Sequence, residues 1–476
     1  GLTYYIQKNK RPEKRASVRL SVHTGSLLED DDQLGLAHFT EHMAFNGTTH
    51  FPHNDLIKYL ESTGQQFGPH INAETGFDDT TYKLEIPTDS PEVVSRTFLV
   101  LEDWARGVTF DPEEITKERG VVIEEWRTGR NANGRAQDAQ LPVLMGPRFA
   151  SRKPIGTLES LNGFKPEALR RFYKDWYRPD LMSVIVVGDI EPDEVEKQIK
   201  EHFASLVNPT PEHPRPEIAI PPAKDEVVSV FTDPELGGAG VAFIGVQNYR
   251  DPRTYQSFKS DLMARLLSRV LNERLNELAH TRNPPWIGAH AGSAQFSLVD
   301  RGVSLGAGVL DDGIPRAVTQ LALERRRLLE FGATETELER ARKNLQTQFE
   351  RYLADKDTAD SHTKVDELLR VVTLGEGVAG VEAEYEIAKK VLAEVTLKEV
   401  NQYVSTWLKV DRAVVLVTVP GRAKSIPTEE AIHAAFDAAD KQKLEAPKAT
   451  EEKKPLLAKL PEPGKVVKVE EFPAIG

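Results

Sequence analysis

The 476-residue chain contains no cysteine, which removes at once a thiolate nucleophile, a disulfide framework and any cysteine-ligated zinc. A metal ion bound here has to be held by His, Asp or Glu. Positive charge is in deficit: 61 Lys and Arg against 74 Asp and Glu leave a net charge of −13. Phosphate-backbone binding needs clustered cations, so nucleic acid is excluded as the main partner. Long apolar runs are missing as well. Val184-Ile185-Val186-Val187 and Val414-Val415-Leu416-Val417 are strand-length, far short of the roughly 20 residues that span a bilayer, and no membrane span is expected. The chain opens on Gly1-Leu2-Thr3-Tyr4-Tyr5-Ile6, which reads as a strand and not as a basic n-region followed by an apolar h-region. Any targeting peptide is therefore expected to have been removed or never to have been there.

What is present is a composition able to bury a real core, with 39% hydrophobic residues, over a length that suggests about two to four domains. A proline-rich stretch from Asn208 to Pro216 and on to Pro221-Pro222 breaks helix and central-strand patterns near the middle of the chain. It reads as a linker, 208–224, between domains at 1–207 and 225–440. Beyond residue 440 the composition shifts to Lys, Glu and Pro, and 441–476 reads as an extended linker or tail. The two large segments look like an internal repeat. Phe172-Tyr173-Lys174-Asp175-Trp176 runs into the apolar strand 182–187, and Tyr403-Val404-Ser405-Thr406-Trp407 runs into the strand 413–417. Gly107-Val108-Thr109 before Glu114-Ile115 and Arg119 is echoed by Gly332-Ala333-Thr334 before Glu337-Leu338 and Arg342.

Strands with one buried face are expected where Val18, Leu20 and Val22 alternate with Ser17, Arg19 and Ser21, and where Tyr82, Leu84 and Ile86 alternate with Lys83 and Glu85. Helices are expected over 54–61 and from the Asp111-Pro112 cap onward. Each domain then mixes a sheet with helices packed on it, an α+β architecture.

The chemistry concentrates in His38-Phe39-Thr40-Glu41-His42. At helical pitch His38 and His42 lie on one face a turn apart and can aim at one metal ion, with Glu41 beside it. H-x-x-E-H is the inverted form of the H-E-x-x-H zinc-peptidase motif. Two histidines need a third ligand. In the helix after Asp111, Ile115, Glu118, Val122 and Glu125 share a stripe, which turns Glu118 and Glu125 inward. Inward carboxylates need a counter-charge. A metal between the histidines supplies one, and Arg119 or Arg127 is the structural alternative. His50 and His53 also have H-x-x-H spacing, but Pro52 disfavours a shared helical face, and they are set aside as surface or packing residues.

The run Gly35-Leu36-Ala37-His38-Phe39-Thr40-Glu41-His42-Met43-Ala44-Phe45-Asn46-Gly47-Thr48, followed by Asn72-Ala73-Glu74-Thr75 and by Glu118-Arg119 with Glu125, closely resembles the pitrilysin (insulinase-type) family of zinc metallopeptidases. That family includes insulin-degrading enzyme and the mitochondrial processing peptidase. The opening, the site and Tyr177-Arg178-Pro179-Asp180 look most like its bacterial PqqL-type branch. The resemblance implies two homologous domains, each a mostly antiparallel or mixed sheet with helices on it, in a processing-peptidase-like half-clamshell. It implies one zinc ion per chain held by His38, His42 and Glu125, with Glu41 as general base and Glu118 as the outer carboxylate. Asn72 and Ala73 would lie on an edge strand that pairs with the substrate backbone. The implied partners are a peptide or unfolded polypeptide and a second homologous half, subunit or dimer partner. The implied location is the bacterial periplasm, with the cytoplasm left open.

The chain departs from that pattern in its second domain. Relatives place an Arg and a Tyr opposite the metal, whereas Ala279 and Trp286 stand at the matching positions and Gln348 replaces a carboxylate at the repeat position of Glu125. The second domain is expected to be non-catalytic, and the chain to be a fragment or one subunit of a larger assembly. The leading expectation is a zinc endopeptidase. Its rival is a non-cleaving or latent subunit.

Overall fold

The computed structural model describes residues 1–248, 253–310, 312–447 and positions 464, 465, 467 and 468. Of the expected tail, everything from 448 onward except those four positions lies outside the described residues.

The first domain carries strands β1 (Thr3–Lys8), β2 (Arg15–Val22), β3 (Ile71–Thr75), β4 (Thr80–Pro87) and β5 (Met182–Gly188). Its helices are α1 (Leu36–Met43), α2 (Asp55–Ser62), α3 (Pro91–Arg106), α4 (Pro112–Thr128), α5 (Ala132–Ser151), α6 (Leu158–Gly163), α7 (Pro166–Trp176) and α8 (Pro192–Phe203). The second domain has β6 (Val227–Asp233), β7 (Ala239–Asn248), β8 (Gly288–Gln295), β9 (Asp300–Val309) and β10 (Arg412–Pro420). Around them lie α9 (Tyr255–Ala279), α10 (Ile314–Phe331), α11 (Glu335–Asp355), α12 (Ser361–Leu374), α13 (Val381–Glu394), α14 (Leu397–Trp407) and α15 (Glu429–Lys441).

The two five-stranded sheets have the same topology, β1-β5-β2-β4-β3 and β6-β10-β7-β9-β8. In each, the edge pair that includes the domain's first strand, β1-β5 or β6-β10, is parallel and the remaining pairs are antiparallel. Each sheet has its own apolar core. Leu36, Phe39, Met43, Trp104 and Phe172 belong to the first, and Leu266, Leu267, Val270, Leu271 and Trp407 to the second. The repeat seen in the sequence is thus a duplicated α+β unit.

Each unit also lends a helix to the other's sheet. Helix α5 lies on the second sheet, where Gln140 Nε2 donates to the Val417 carbonyl at 3.0 Å and the Arg135 guanidinium grips Asp233 at 2.7 and 2.8 Å. Helix α12 lies on the first sheet, where Val365 packs with Ile185 and Val187 of β5.

This exchange corrects one expectation. Strand β2 is not half-buried: from Ala16 to Val22 every residue is buried, Ser17, Arg19 and Ser21 included. Helix α12 covers the face that alternation assigned to solvent. Fully buried Arg19 is matched by Glu85 Oε1 at 2.9 Å, His362 Nδ1 at 3.1 Å and Asp366 at 3.6 Å. A buried guanidinium without such partners would be strongly unfavourable.

The proline-rich segment 208–224 forms neither helix nor strand, yet it is not loose. Ile220 joins an apolar cluster with Leu27, Met145, Phe149 and Val246, and Arg215 donates to the carbonyls of His23 at 2.9 Å and Asp78 at 3.2 Å.

Candidate metal centre

Helix α1 begins at Gly35, whose φ of +87° and close approach to Gly156 suit a residue without a Cβ. Its first amides are taken by a buried carboxylate: Glu29 accepts from Gly35 N at 3.0 Å and Ala37 N at 2.9 Å. Leu36, Phe39 and Met43 point into the core, so helical pitch leaves His38 and His42 on the opposite side. Their rings meet edge to face, with centroids 4.6 Å apart. Helix α4 is started by Asp111, which caps Glu113 N and Glu114 N at 2.8 and 3.3 Å with Pro112 in the first turn. Buried Ile115 and Val122 fix its rotation.

The two helices bring three side chains together. Glu125 Oε1 lies 3.6 Å from His38 Nε2, and Oε2 lies 3.4 Å from His42 Nε2. Among the described residues, His38, His42 and Glu125 are the one group of three His, Asp or Glu whose potential ligand atoms lie within 4.8 Å of one another. Behind them, His42 Nδ1–H donates to Glu118 Oε1 at 2.6 Å, while Asn46 Nδ2 donates to Glu118 Oε2. Burial and the neighbouring His42 lower His38 to about 4. Burial alone would lower His42, but hydrogen bonds to Glu118 and Glu125 outweigh it and raise it to about 10. The hydrogen bond with His42 holds Glu125 below the usual carboxylate range.

The inward placement of Glu125 needs correction. Its side chain is 49% exposed, against 13% for Glu118. Position 125 lines a cleft and does not enter a core, so its helical stripe runs from buried Ile115 and Val122 to half-open Glu125. Neither alternative cation reaches these carboxylates: Arg119 sits over the Phe164 ring and donates to the Leu161 carbonyl, and Arg127 pairs with Glu124. His50 and His53 lie outside the cluster, on Asp103 and Glu114.

The cleft has a volume of about 560 Å³ and is lined by the cluster, by Glu41 and by Asn72 to Thr75 of β3. Glu41 is buried, and burial raises its carboxyl above the usual range despite the hydrogen bond from Thr75 Oγ1 to its Oε2 at 2.7 Å. Strand β3 is the terminal strand of its sheet. The Glu85 amide donates to the His70 carbonyl, so alternation directs the main-chain groups of Asn72 and Glu74 toward β4 and those of Ile71, Ala73 and Thr75 to the free edge. The loop before β3 takes the first of these, with Gly68 N donating to Ile71 O at 2.8 Å and Ile71 N to Gln66 O at 3.2 Å. The Ala73 amide donates to Asn72 Oδ1 at 2.8 Å. What the cleft offers as strand edge is therefore Ala73 and Thr75. Sequence reasoning missed Glu29, Asn46 and Thr75; the four-residue step from His42 to Asn46 is a signal that could have found Asn46, whereas no spacing rule links Glu29 or Thr75 to the histidines.

Comparison with known proteins adds lineage to this geometry. Residues 4–141 match the family model described as insulinase (peptidase family M16), and residues 163–345 match the one described as peptidase M16 inactive domain. The chain belongs to the M16 peptidase family. It is 30% identical to an Arabidopsis thaliana protein named zinc protease PQQL-like, over 100% of this chain and 47% of that protein. It is also 30% identical to the probable zinc protease PqqL of Haemophilus influenzae, over 90% of this chain and 46% of that one. The first half of the Escherichia coli periplasmic protease PqqL superposes with a TM-score of 0.87 at 27% identity, covering 94% of this chain and 97% of that structure. This M16 chain thus spans about half the length of the curated relatives it matches.

In the second domain of this M16 chain, the position that echoes Glu125 is closed. Gln348 Oε1 accepts from Arg269 Nη2 at 2.6 Å and Gln348 Nε2 donates to the Tyr352 hydroxyl at 2.8 Å. The edge of β8 is partly covered, because the Asn272 amide bonds both the N–H and the C=O of Ala291 at 2.8 and 2.7 Å. Trp286 is buried and donates to the Leu275 carbonyl.

Proposed function

We propose that this chain is the metal-binding half of a zinc-dependent endopeptidase that hydrolyses peptides or unfolded protein segments, holding one zinc ion through His38, His42 and Glu125. The observation that carries this reading is the donor set itself. Two imidazole nitrogens and a carboxylate are what zinc prefers in hydrolytic sites, and tetrahedral ligands at the usual zinc distances stand about 3.3–3.5 Å apart. The carboxylate-to-imidazole separations of 3.4 and 3.6 Å fit that spacing. The buried His38 Nδ1 has no protein partner, which leaves Nε2 as that ring's functional nitrogen.

When bound, zinc supplies Lewis acidity that acidifies a nearby water and stabilises negative charge on a substrate carbonyl oxygen. The protein's part follows from its own atoms. Glu41, with Oε2 held by Thr75, takes the water's proton on Oε1 and later gives it to the leaving amide nitrogen. Glu118 keeps the His42 proton on Nδ1, which frees Nε2 for the metal. Ala73 and Thr75 offer main-chain groups to an extended peptide, and Asn72 releases the Ala73 amide as the strand arrives. The similarity to a periplasmic protease supports a periplasmic location.

A second reading is a latent or non-cleaving subunit. It is favoured by the half-length match and by Ala279 and Trp286 standing where an Arg and a Tyr are expected. Zinc content and cleavage of a quenched peptide, measured for the chain alone and with a homologous second half, separate the two. Cleavage by the chain alone, abolished in Glu41→Gln with zinc retained, supports the first. Activity that appears only on mixing supports latency. Full activity of Glu41→Gln would refute the assignment of the base.

A further inference from the structure

The strand that offers its edge to the substrate also holds the proposed base. Thr75 has one hydroxyl proton and two nearby acceptors, Glu41 Oε2 at 2.7 Å and Thr80 Oγ1 at 3.3 Å. Thr80 already spends its own proton on the Thr24 carbonyl at 2.9 Å, and the shorter contact identifies Glu41 as the acceptor of the Thr75 proton. Glu41 Oε2 is thereby fixed, and Oε1 is left to the cleft. Thr75 also turns its main-chain groups to the free edge, as does Ala73, whose amide is held by Asn72 Oδ1.

The turn that follows is anchored on three sides. Ser26 N and Leu27 N donate to the carbonyls of Gly76 and Phe77 at 3.1 and 3.0 Å. Asp78 accepts from Leu298 N of the second domain at 3.1 Å, and Arg215 of the proline-rich segment reaches the same residue at 3.3 Å. Thr75 therefore sits between a braced turn and a two-residue docking edge.

We infer that Thr75 is a positioning residue that couples docking of the substrate strand to the orientation of Glu41. The inference rests on the peptidase reading. A peptide backbone that pairs with Thr75 tightens β3 at the residue whose hydroxyl aims Glu41, so a bound strand and a correctly placed base come together. A misplaced general base costs rate more than binding, so the loss belongs in kcat.

The test uses Thr75→Val, which keeps the β-branched shape and removes the hydroxyl, with Thr75→Ala as a second deletion and Thr75→Ser as the rescue. Kinetics on a quenched peptide, zinc content and crystal structures are measured for each. Expected for Val and Ala are kcat lower by about 10- to 100-fold, KM within about twofold, zinc unchanged, and a Glu41 carboxylate displaced from its wild-type position. Ser restores rate and position. A Glu41 side chain that stays in place without the hydroxyl overturns the inference, as does a loss confined to KM. If wild-type protein binds zinc and cleaves nothing, alone or with a second half, the peptidase reading falls while the Glu41 positions still decide the role of Thr75.

Discussion

Removing the Glu118 carboxylate should weaken the metal site without dismantling it. Both oxygens of Glu118 are engaged, one by His42 Nδ1 at 2.6 Å and the other by Asn46, and the side chain is only 13% exposed. Glu118→Ala leaves the His42 ring free to rotate and strips it of the acceptor that fixes which nitrogen carries the proton. Loss of such an outer carboxylate typically lowers metal affinity by about 10- to 100-fold, or about 1.4–2.7 kcal/mol. Glu118→Gln should be milder, because its amide oxygen can still accept from Nδ1, though Asn46 must then turn its own amide to face an NH₂ group. Competition against a chromogenic chelator at fixed pH gives the affinity, and thermal melts of the metal-free proteins show whether the fold survives. A folded Glu118→Ala protein that binds zinc within about threefold of wild type would refute the idea that Glu118 orients His42.

Two further outcomes test the fold around the site. Arg19→Ala removes a fully buried guanidinium held by Glu85, His362 and Asp366 and should cost about 3 kcal/mol in urea unfolding, whereas Asp366→Asn, at a carboxylate 45% exposed, should cost under about 1 kcal/mol. Burial, aided by the charge of Arg215, lowers His23 to about 4, so below its unfolded value the unfolded chain binds a proton that the folded chain refuses. Stability should then fall as pH drops from about 6.5 to about 4, by up to about 3 kcal/mol; urea midpoints that fall equally for wild type and His23→Gln across this window would contradict it.

The parts of the site that follow helical pitch are legible in the amino-acid sequence alone. His38 and His42 share a face because they are four apart, and the stripe Ile115, Glu118, Val122, Glu125 selects two glutamates from the five on α4. Periodicity of the same kind fails at β2, where it assigns Ser17, Arg19 and Ser21 to solvent, because the covering helix α12 comes from more than 300 residues away. Phase gives the direction of Glu125 but not its depth, since how open a stripe is depends on whether a core or a cleft lies opposite it.

By itself, then, the sequence determined the local matters: the helices and their caps, the metal-ligand face of α1, the two candidate glutamates and the duplication of an α+β unit. Those features depend on residues within a turn or two of one another, whose geometry is set by backbone dihedrals and one period. Only the tertiary structure decided that α5 and α12 exchange sheets, that the free edge of β3 is reduced to Ala73 and Thr75, and that Thr75 holds Glu41. Each of these joins residues far apart in the chain, and which distant surfaces meet is decided by burial of whole faces, a quantity no short window of sequence contains.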